Sequence, residues 1–169
     1  MMMLALVTGQ IGAINMVVGH ELFHRKERVN RFLGWLAYAK NYYSQFYTAH
    51  IKFHHKLVAT DEDPTTSRMG ESLFSFVRRT FTGCYSEVWA VDKTWRSELV
   101  WQGLLHVTML GLISKAFGPR AAVFSLLQAS VAVFMLETVN YIEHYGLLRR
   151  KDADGTYEPV NIRHSWNAP

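Results

Sequence analysis

Residues 121–147 read AAVFSLLQASVAVFMLETVNYIEHYGL. The part from 121 to 142 is largely apolar and long enough, as a helix, to cross the hydrocarbon core of a bilayer. The run ends in NYIEHYGL, where polar groups and a histidine take over. This stretch predicts a membrane-spanning helix that carries a histidine at its boundary end.

Two other apolar runs lie outside this one. Residues 1–19 make a helix about 28 Å long, near the ~30 Å hydrocarbon thickness. Residues 99–117 precede a turn signal, Gly118-Pro119-Arg120. We therefore predict an all-α, integral-membrane helical bundle with spans at 1–19, 99–117 and 121–142, forming a single membrane-embedded domain over 1–169.

The composition agrees with membrane segments joined by polar caps. Hydrophobic residues make up 49% and charged residues 19% of the chain, while the mean hydropathy is −0.02. Long apolar runs are thus offset by concentrated charge. The net charge is +4, but no nucleic-acid motif occurs, and we expect no nucleic-acid partner. A single cysteine excludes an intrachain disulfide framework and a cysteine-based metal cluster.

The distribution of basic residues predicts the topology. The last two apolar runs form a hairpin, and of the eighteen basic residues only Lys115 and Arg120 flank its turn. The positive-inside rule places the other end in the cytoplasm, in the inner membrane of a cell. The segment 32–49 is too polar and too short to cross twice, so we expect it to be interfacial or re-entrant.

Histidines form three groups at the predicted membrane boundaries, all on the same side. They are GHELFH at 19–24, HIKFHH at 50–55 and NYIEHYG at 140–146. His20 and His24 are four residues apart, as are His50 and His54, so each pair shares one helix face. Neutral imidazole is a common metal ligand, and we expect six of the eight histidines to converge: His20, His24, His50, His54, His55 and His144.

The other two histidines have simpler interpretations. His106 lies within an apolar run without a neighbour at ligand spacing, and His164 is expected to orient a loop. Zinc is the main competing metal, because residues 20–24 match H-E-x-x-H, the motif of an intramembrane zinc metalloprotease. A zinc site, however, needs only about three protein ligands, and two metals suit six histidines better. A non-catalytic membrane fragment is a third possibility.

These motifs resemble the alkane 1-monooxygenase family, within the membrane fatty-acid desaturase and hydroxylase superfamily. The matching stretches are HELFHR at 20–25, HIKFHH with VATDEDP at 50–64, NYIEHYGL at 140–147 and HSWN at 164–167. They occur in the family's order over nearly the whole chain. Ala49 stands where the family more often has Glu, and Arg25 where it often has Lys.

The resemblance implies terminal hydroxylation of medium-chain n-alkanes to 1-alkanols at a non-haem di-iron centre. O₂ is the oxidant, and rubredoxin with its reductase supplies electrons. A related hydroxylase or desaturase acting on another apolar substrate is the alternative. The six converging histidines are then iron ligands. Candidates for holding those ligands through their second ring nitrogen are Glu21, Asp63, Asn140 and Glu143.

The family pattern continues beyond this sequence. It has further spanning helices before residue 1 and another histidine cluster after the HSWN segment. We therefore expect a partial chain that cannot hydroxylate alkanes alone. Gly9, Gly12 and Ala13 are small residues that let another helix approach closely, and we expect the face marked by Gly9 and Gly12 to pack against one of those earlier helices.

Overall fold

A computed structural model describes residues 1–167, and within them the regular secondary structure is helical, with one isolated bridge between Lys151 and Tyr157. A π-helical segment, His50–His54, joins α3 to α4, and a 3₁₀ turn, Ile162–His164, lies near the end. The α-helices are α1 Met2–Phe23, α2 Arg28–Ala39, α3 Gln45–Ala49, α4 His55–Leu57, α5 Leu73–Val91, α6 Glu98–Phe117 and α7 Pro119–His144. The predicted all-α fold is confirmed.

Three helices, α1, α6 and α7, are the ones in residues 1–167 that are long and apolar enough to cross a membrane. They overlap the three predicted spans and indicate an integral membrane protein. The α6–α7 hairpin turns at Gly118, whose φ of 86° suits glycine because it has no Cβ. Pro119 follows at the first helical position, where its missing N–H leaves no bond unmade.

Close packing between α1 and α7 forms the centre of the bundle. A Cβ on Gly9 would lie 2.6 Å from the Val131 Cβ, and one on Gly12 would lie 3.0 Å from the Ala132 Cβ. The absent side chains thus let the two helices approach each other. The expectation that this face needs a helix from before residue 1 was wrong, because α7 of the same chain covers it.

The segment between α1 and the second histidine group folds back on itself. α2 spans 12 residues, about 18 Å as a helix and too short to cross a bilayer. It packs along α1, where Gly19 and Gly34 allow close contact. The chain then reverses at Tyr42, whose φ is 56°, and α3 returns. His50 ends beside His20, so both groups lie at the same end of the bundle, as an interfacial or re-entrant segment requires.

The amphipathic helix α5 packs against α3 and α7 and holds the loop that follows α4. Arg79 is the main anchor: it donates to the carbonyls of Pro64 and Thr66 and pairs with Glu71, with its Nε 2.9 Å from the Glu71 Oε1. Such multiple bonding fixes a loop that has no regular structure of its own. This loop carries Asp63.

Candidate metal centre

The first two candidate ligands lie at the end of α1. His20 and His24 are one helical turn apart, and their Nε2 atoms are 3.4 Å from each other. His20 is half-buried and His24 is exposed. The Nε2 of His20 also lies 2.8 Å from the Nε2 of His50, which comes from the segment that folds back. The ligand nitrogens of these three residues, His20, His24 and His50, all lie within 4.8 Å of one another, as a metal ion requires.

The second histidine group is arranged by the π-helical segment. In a π turn the hydrogen bonds run from i to i+5, so residues five apart lie on one face. His50 and His55 are therefore paired, with Nε2 atoms 2.9 Å apart. His54, four residues after His50, also stacks on the His50 ring, with centroids 5.1 Å apart, and its other neighbour is His144 of α7. Because of the extra residue in the π turn, the side chains of this group face two sides: His55 faces His50, and His54 faces His144.

The end of α7 supplies His144, which is buried. Its ring centroid is 5.0 Å from that of His54. The Nδ1 of His144 lies 3.2 Å from the carbonyl oxygen of His164, so Nδ1–H donates to that oxygen and leaves Nε2 free to bind a metal. His54 and His144 form the deeper side of the cluster, next to the group of three.

All six candidate histidines line one cavity of about 210 Å³. Two nitrogens that each lie about 2.1 Å from the same metal are about 3 Å apart at usual coordination angles. The Nε2 separations of 2.8, 2.9 and 3.4 Å match that spacing. The side chains present therefore fit a metal among His20, His24 and His50, and His54, His55 and His144 line the same cavity.

Burial keeps the central imidazoles neutral, which is the form that binds metal. The pKa of His50 is lowered well below its usual value by burial and by the neighbouring rings of His54 and His20. Burial and the nearby His24 lower the pKa of His55 to about 4. Near pH 7 neither ring carries a proton that metal binding must displace.

Asp63 is the best-placed partner for a ligand ring. Its Oδ2 lies 2.8 Å from the Nδ1 of His54. Its two oxygens also accept the Thr65 N–H and the hydroxyls of Thr65 and Thr66. Burial alone would raise the pKa of Asp63, but these hydrogen bonds and the His54 ring outweigh it, so the pKa lies below its usual value. The ionised carboxylate can therefore hold His54 with Nε2 directed to the cavity.

The other three candidate partners are placed differently. The Glu21 side chain is 71% exposed and its Oε1 is 3.7 Å from the Nδ1 of His20, too far for a hydrogen bond. Glu143 lines the cavity but accepts from Asn167 at 2.6 Å. Asn140 lines it as well and donates to Glu137. Neither Glu143 nor Asn140 contacts a histidine Nδ1 within the described range.

The remaining two histidines are placed differently from each other. His106 is hydrogen-bonded to the Ser44 hydroxyl at 3.1 Å and does not line the cavity. His164 lines it, but its Nδ1 accepts the Asn161 N–H at 3.0 Å within the 3₁₀ turn. That ring closes the turn, and its carbonyl holds His144. The loop role expected for His164 agrees with this placement.

Sequence reasoning missed the buried acid beneath the cluster. Glu137 lies within α7 and is fully buried. It accepts the hydroxyl of Tyr43 at 2.9 Å and the amide of Asn140 at 3.2 Å. Its position inside an apolar run was the available signal, because an ionisable group within a membrane helix is costly and usually functional. Glu137 joins α7 to the returning chain just below the histidines.

A helical membrane bundle in which two long helices, α1 and α7, meet at a histidine metal-binding cluster defines a class of membrane metalloprotein. A profile described as Fatty acid desaturase matches residues 1–169, and the chain belongs to that family.

The names of several relatives are more specific than the description of the family. The chain is 38% identical over 176 residues to an alkane 1-monooxygenase of Pseudomonas putida, covering 98% of this chain and 44% of that protein. It is 37% identical over 169 residues to alkane 1-monooxygenase 1 of Pseudomonas aeruginosa, covering 94% and 44%. The hydroxylase component of a xylene/toluene monooxygenase of Pseudomonas putida is 27% identical over 173 residues, covering 92% and 44%. The chain thus spans less than half the length of these relatives.

Proposed function

We propose that this chain carries the iron-binding core of a membrane hydroxylase that converts medium-chain n-alkanes to 1-alkanols. The observation that supports this most is the convergence of six histidines from α1, the returning segment and α7 on one cavity. The alkane 1-monooxygenases among its relatives indicate the substrate class. We propose two non-haem irons, with rubredoxin and its reductase as the electron source and with the site facing the cytoplasm.

The overall reaction consumes one alkane, one O₂, two electrons and two protons, and yields one alcohol and one water. An unactivated C–H bond offers no charge for an acid or base to act on, so the bound irons would supply the oxidising chemistry with O₂. The protein's own groups prepare the site. Asp63 and the His164 carbonyl orient His54 and His144, and burial keeps the central rings unprotonated.

The zinc peptidase alternative has less support. In that mechanism the glutamate of H-E-x-x-H acts as the general base beside the metal. Glu21 instead is mostly exposed, and four more histidines line the same cavity as His20 and His24. Metal analysis separates the two possibilities, because the hydroxylase should retain two irons and the peptidase one zinc.

The decisive test is product formation by the protein expressed in membranes from its full coding sequence. Supplied with iron, rubredoxin, reductase and NADH, it should convert octane to 1-octanol with matching O₂ consumption. Xylene as a competing substrate would reveal a closer functional relation to the xylene/toluene enzyme. Absence of hydroxylation of either compound by iron-loaded protein would contradict the proposal.

Histidine variants test the assignment of ligands. We expect His54→Ala to abolish hydroxylation and lower the iron content, because it removes a buried ring of the cluster. His106→Ala is the control, since it removes a ring that lies outside the cavity. Iron loss in His106→Ala as severe as in His54→Ala would show that the grouping is wrong.

A further inference from the structure

Residues 161–167 form a strap along one side of the cavity that the six histidines line. Asn161, His164 and Ser165 contribute to the lining of that cavity. His164 is 5% exposed, whereas Trp166 is 64% exposed, so one side of the strap faces the cavity and the other faces outwards. Its only regular structure is a single 3₁₀ turn, and its position therefore depends on bonds to other parts of the chain.

Glu143, in the last turn of α7, accepts three hydrogen bonds from this strap. Its Oε1 accepts the side-chain amide of Asn167 at 2.6 Å and the hydroxyl of Ser165 at 3.4 Å. Its backbone carbonyl accepts the Trp166 N–H at 2.8 Å. The indole N–H of Trp166 adds a bond to the Tyr145 carbonyl at 3.0 Å. Three consecutive residues of the strap are thus tied to the end of α7.

The strap also orients the ligand candidate next to Glu143. The Nδ1 of His144 lies 3.2 Å from the carbonyl oxygen of His164, the residue immediately before Ser165. A carbonyl that is itself held in place fixes the tautomer and the direction of a ligand imidazole. Without the bonds to Glu143, the His164 carbonyl is free to shift, and His144 loses its fixed partner.

We propose that Glu143 is a positioning residue. By holding the strap, it keeps the His164 carbonyl against His144 and limits access to the metal cavity from outside the protein. This inference rests on the proposed function, because it assumes that the histidines hold metal. The role needs an acceptor oxygen rather than a negative charge. Direct metal ligation is the competing interpretation, since the Glu143 Oε1 also lies 3.9 Å from the His144 Nε2.

The first test needs no metal: hydrogen–deuterium exchange of the full-length protein in lipid nanodiscs, followed in peptides that cover 161–167. Glu143→Leu keeps the side-chain volume but removes both acceptor oxygens. We expect exchange in the strap to become about tenfold faster, with α1 unchanged, because only a local opening becomes easier. Glu143→Gln retains an acceptor and should exchange like the wild type. Unchanged exchange in Glu143→Leu would overturn the proposal.

Glu21→Leu is the matched control for that measurement. Glu21 precedes His20 as Glu143 precedes His144, but its side chain is 71% exposed and is hydrogen-bonded to no residue in the described part of the chain. Its replacement should leave the strap at the wild-type exchange rate. Faster strap exchange in Glu21→Leu would show that loss of any acid beside the cluster loosens this segment, and it would count against a specific clamp.

The second test is the rate at which an external chelator removes iron. Glu143→Leu should lose iron about tenfold faster, the lower end of the effect of removing a group that supports a metal ligand. Glu143→Gln should keep the wild-type rate and iron content. Iron content in Glu143→Gln as low as in His54→Ala would show that the carboxylate binds metal directly, which would refute the positioning role.

Asn167→Ala removes the other partner of the 2.6 Å bond and tests whether the two residues act together. Adding it to Glu143→Leu should not accelerate iron release further, because the bond is already lost. Fully additive effects would contradict the clamp. None of these measurements uses turnover, so a wild-type protein that binds iron but does not hydroxylate octane would refute only the proposed function.

Discussion

Asp63 illustrates how one side chain can orient a histidine of the candidate metal centre. A metal-binding histidine usually donates its second N–H to a carboxylate or carbonyl, which fixes its tautomer and ring direction. Asp63 is in that position towards His54, and Thr65 and Thr66 hold the carboxylate in turn. The loop that carries Asp63 bends through Ala59, whose φ of 58° is unusual for a residue with a Cβ.

We predict that Asp63→Asn weakens iron binding by about 10–100-fold, because a neutral amide holds the imidazole less strongly than a carboxylate does. The measurement is iron retained after dialysis against a chelator at graded concentrations. Asp61→Asn is the control, since Asp61 is exposed in the same loop and makes no side-chain bond to a histidine. Wild-type iron retention in Asp63→Asn would show that the carboxylate does not support the metal.

At the scale of elements, the glycines of the long helices differ in how closely another helix packs against them. Gly9 lies against Val131 and the Gln128 carbonyl of α7. A Cβ on Gly111 of α6 would meet no heavy atom within 4 Å among residues 1–167. Replacing glycine with alanine should therefore have opposite effects on stability in α1 and α6, because only α1 needs a neighbouring helix to approach closely at that position.

We predict that Gly9→Ala destabilises the bundle by about 1–3 kcal/mol, since the new methyl group must displace the α7 backbone or Val131. Gly111→Ala should be neutral or stabilising by up to about 1 kcal/mol, because alanine favours the helix and meets no neighbour. Thermal unfolding in detergent, followed by circular dichroism, measures both. Equal stability of the two variants would contradict the α1–α7 packing.

For the whole molecule, the basic residues serve two different purposes. Arg79 and Arg149 are engaged internally: Arg79 holds the Asp63 loop, and Arg149 donates to the carbonyls of Lys56 and Glu158. Others are exposed, including Arg25, Lys26, Arg28, Arg78, Arg150 and Lys151. A soluble acidic electron donor can meet only the second set, which also suits contact with anionic lipid.

We predict that turnover with rubredoxin falls as salt rises, because exposed charges are screened beyond roughly 8 Å at physiological ionic strength. Lys26→Glu should raise the KM for rubredoxin without changing iron content. Arg120→Glu is the control, as Arg120 is exposed but lies at the hairpin turn between α6 and α7. Turnover that is indifferent to salt and to Lys26→Glu would contradict docking by charge.

Much of the fold and part of the site follow from local patterns. Apolar runs long enough to cross a bilayer mark α1, α6 and α7, because membrane helices depend on length and hydrophobicity alone. The pairing of His20 with His24 follows from helical periodicity. The return of the segment 32–49 follows from its short length and polar content. The family, too, was predicted from motifs and is confirmed by the match over 1–169.

Other features depend on contacts between residues distant in sequence. The π turn that pairs His50 with His55 changes the helix period locally, which a spacing rule for α-helices does not anticipate. The partners of Glu137 and the lack of one for Tyr38 among residues 1–167 come from three elements meeting in space.

Residue type and spacing therefore determined the helices, the class of ligand and the family of this protein, since each is a property of one short segment. Only the tertiary structure decided that α7 covers the Gly9 face and that Asp63, rather than Glu21, is hydrogen-bonded to a histidine of the cluster. The physical reason is that packing and hydrogen bonding depend on distances between segments, whereas hydrophobicity and helical period act within one.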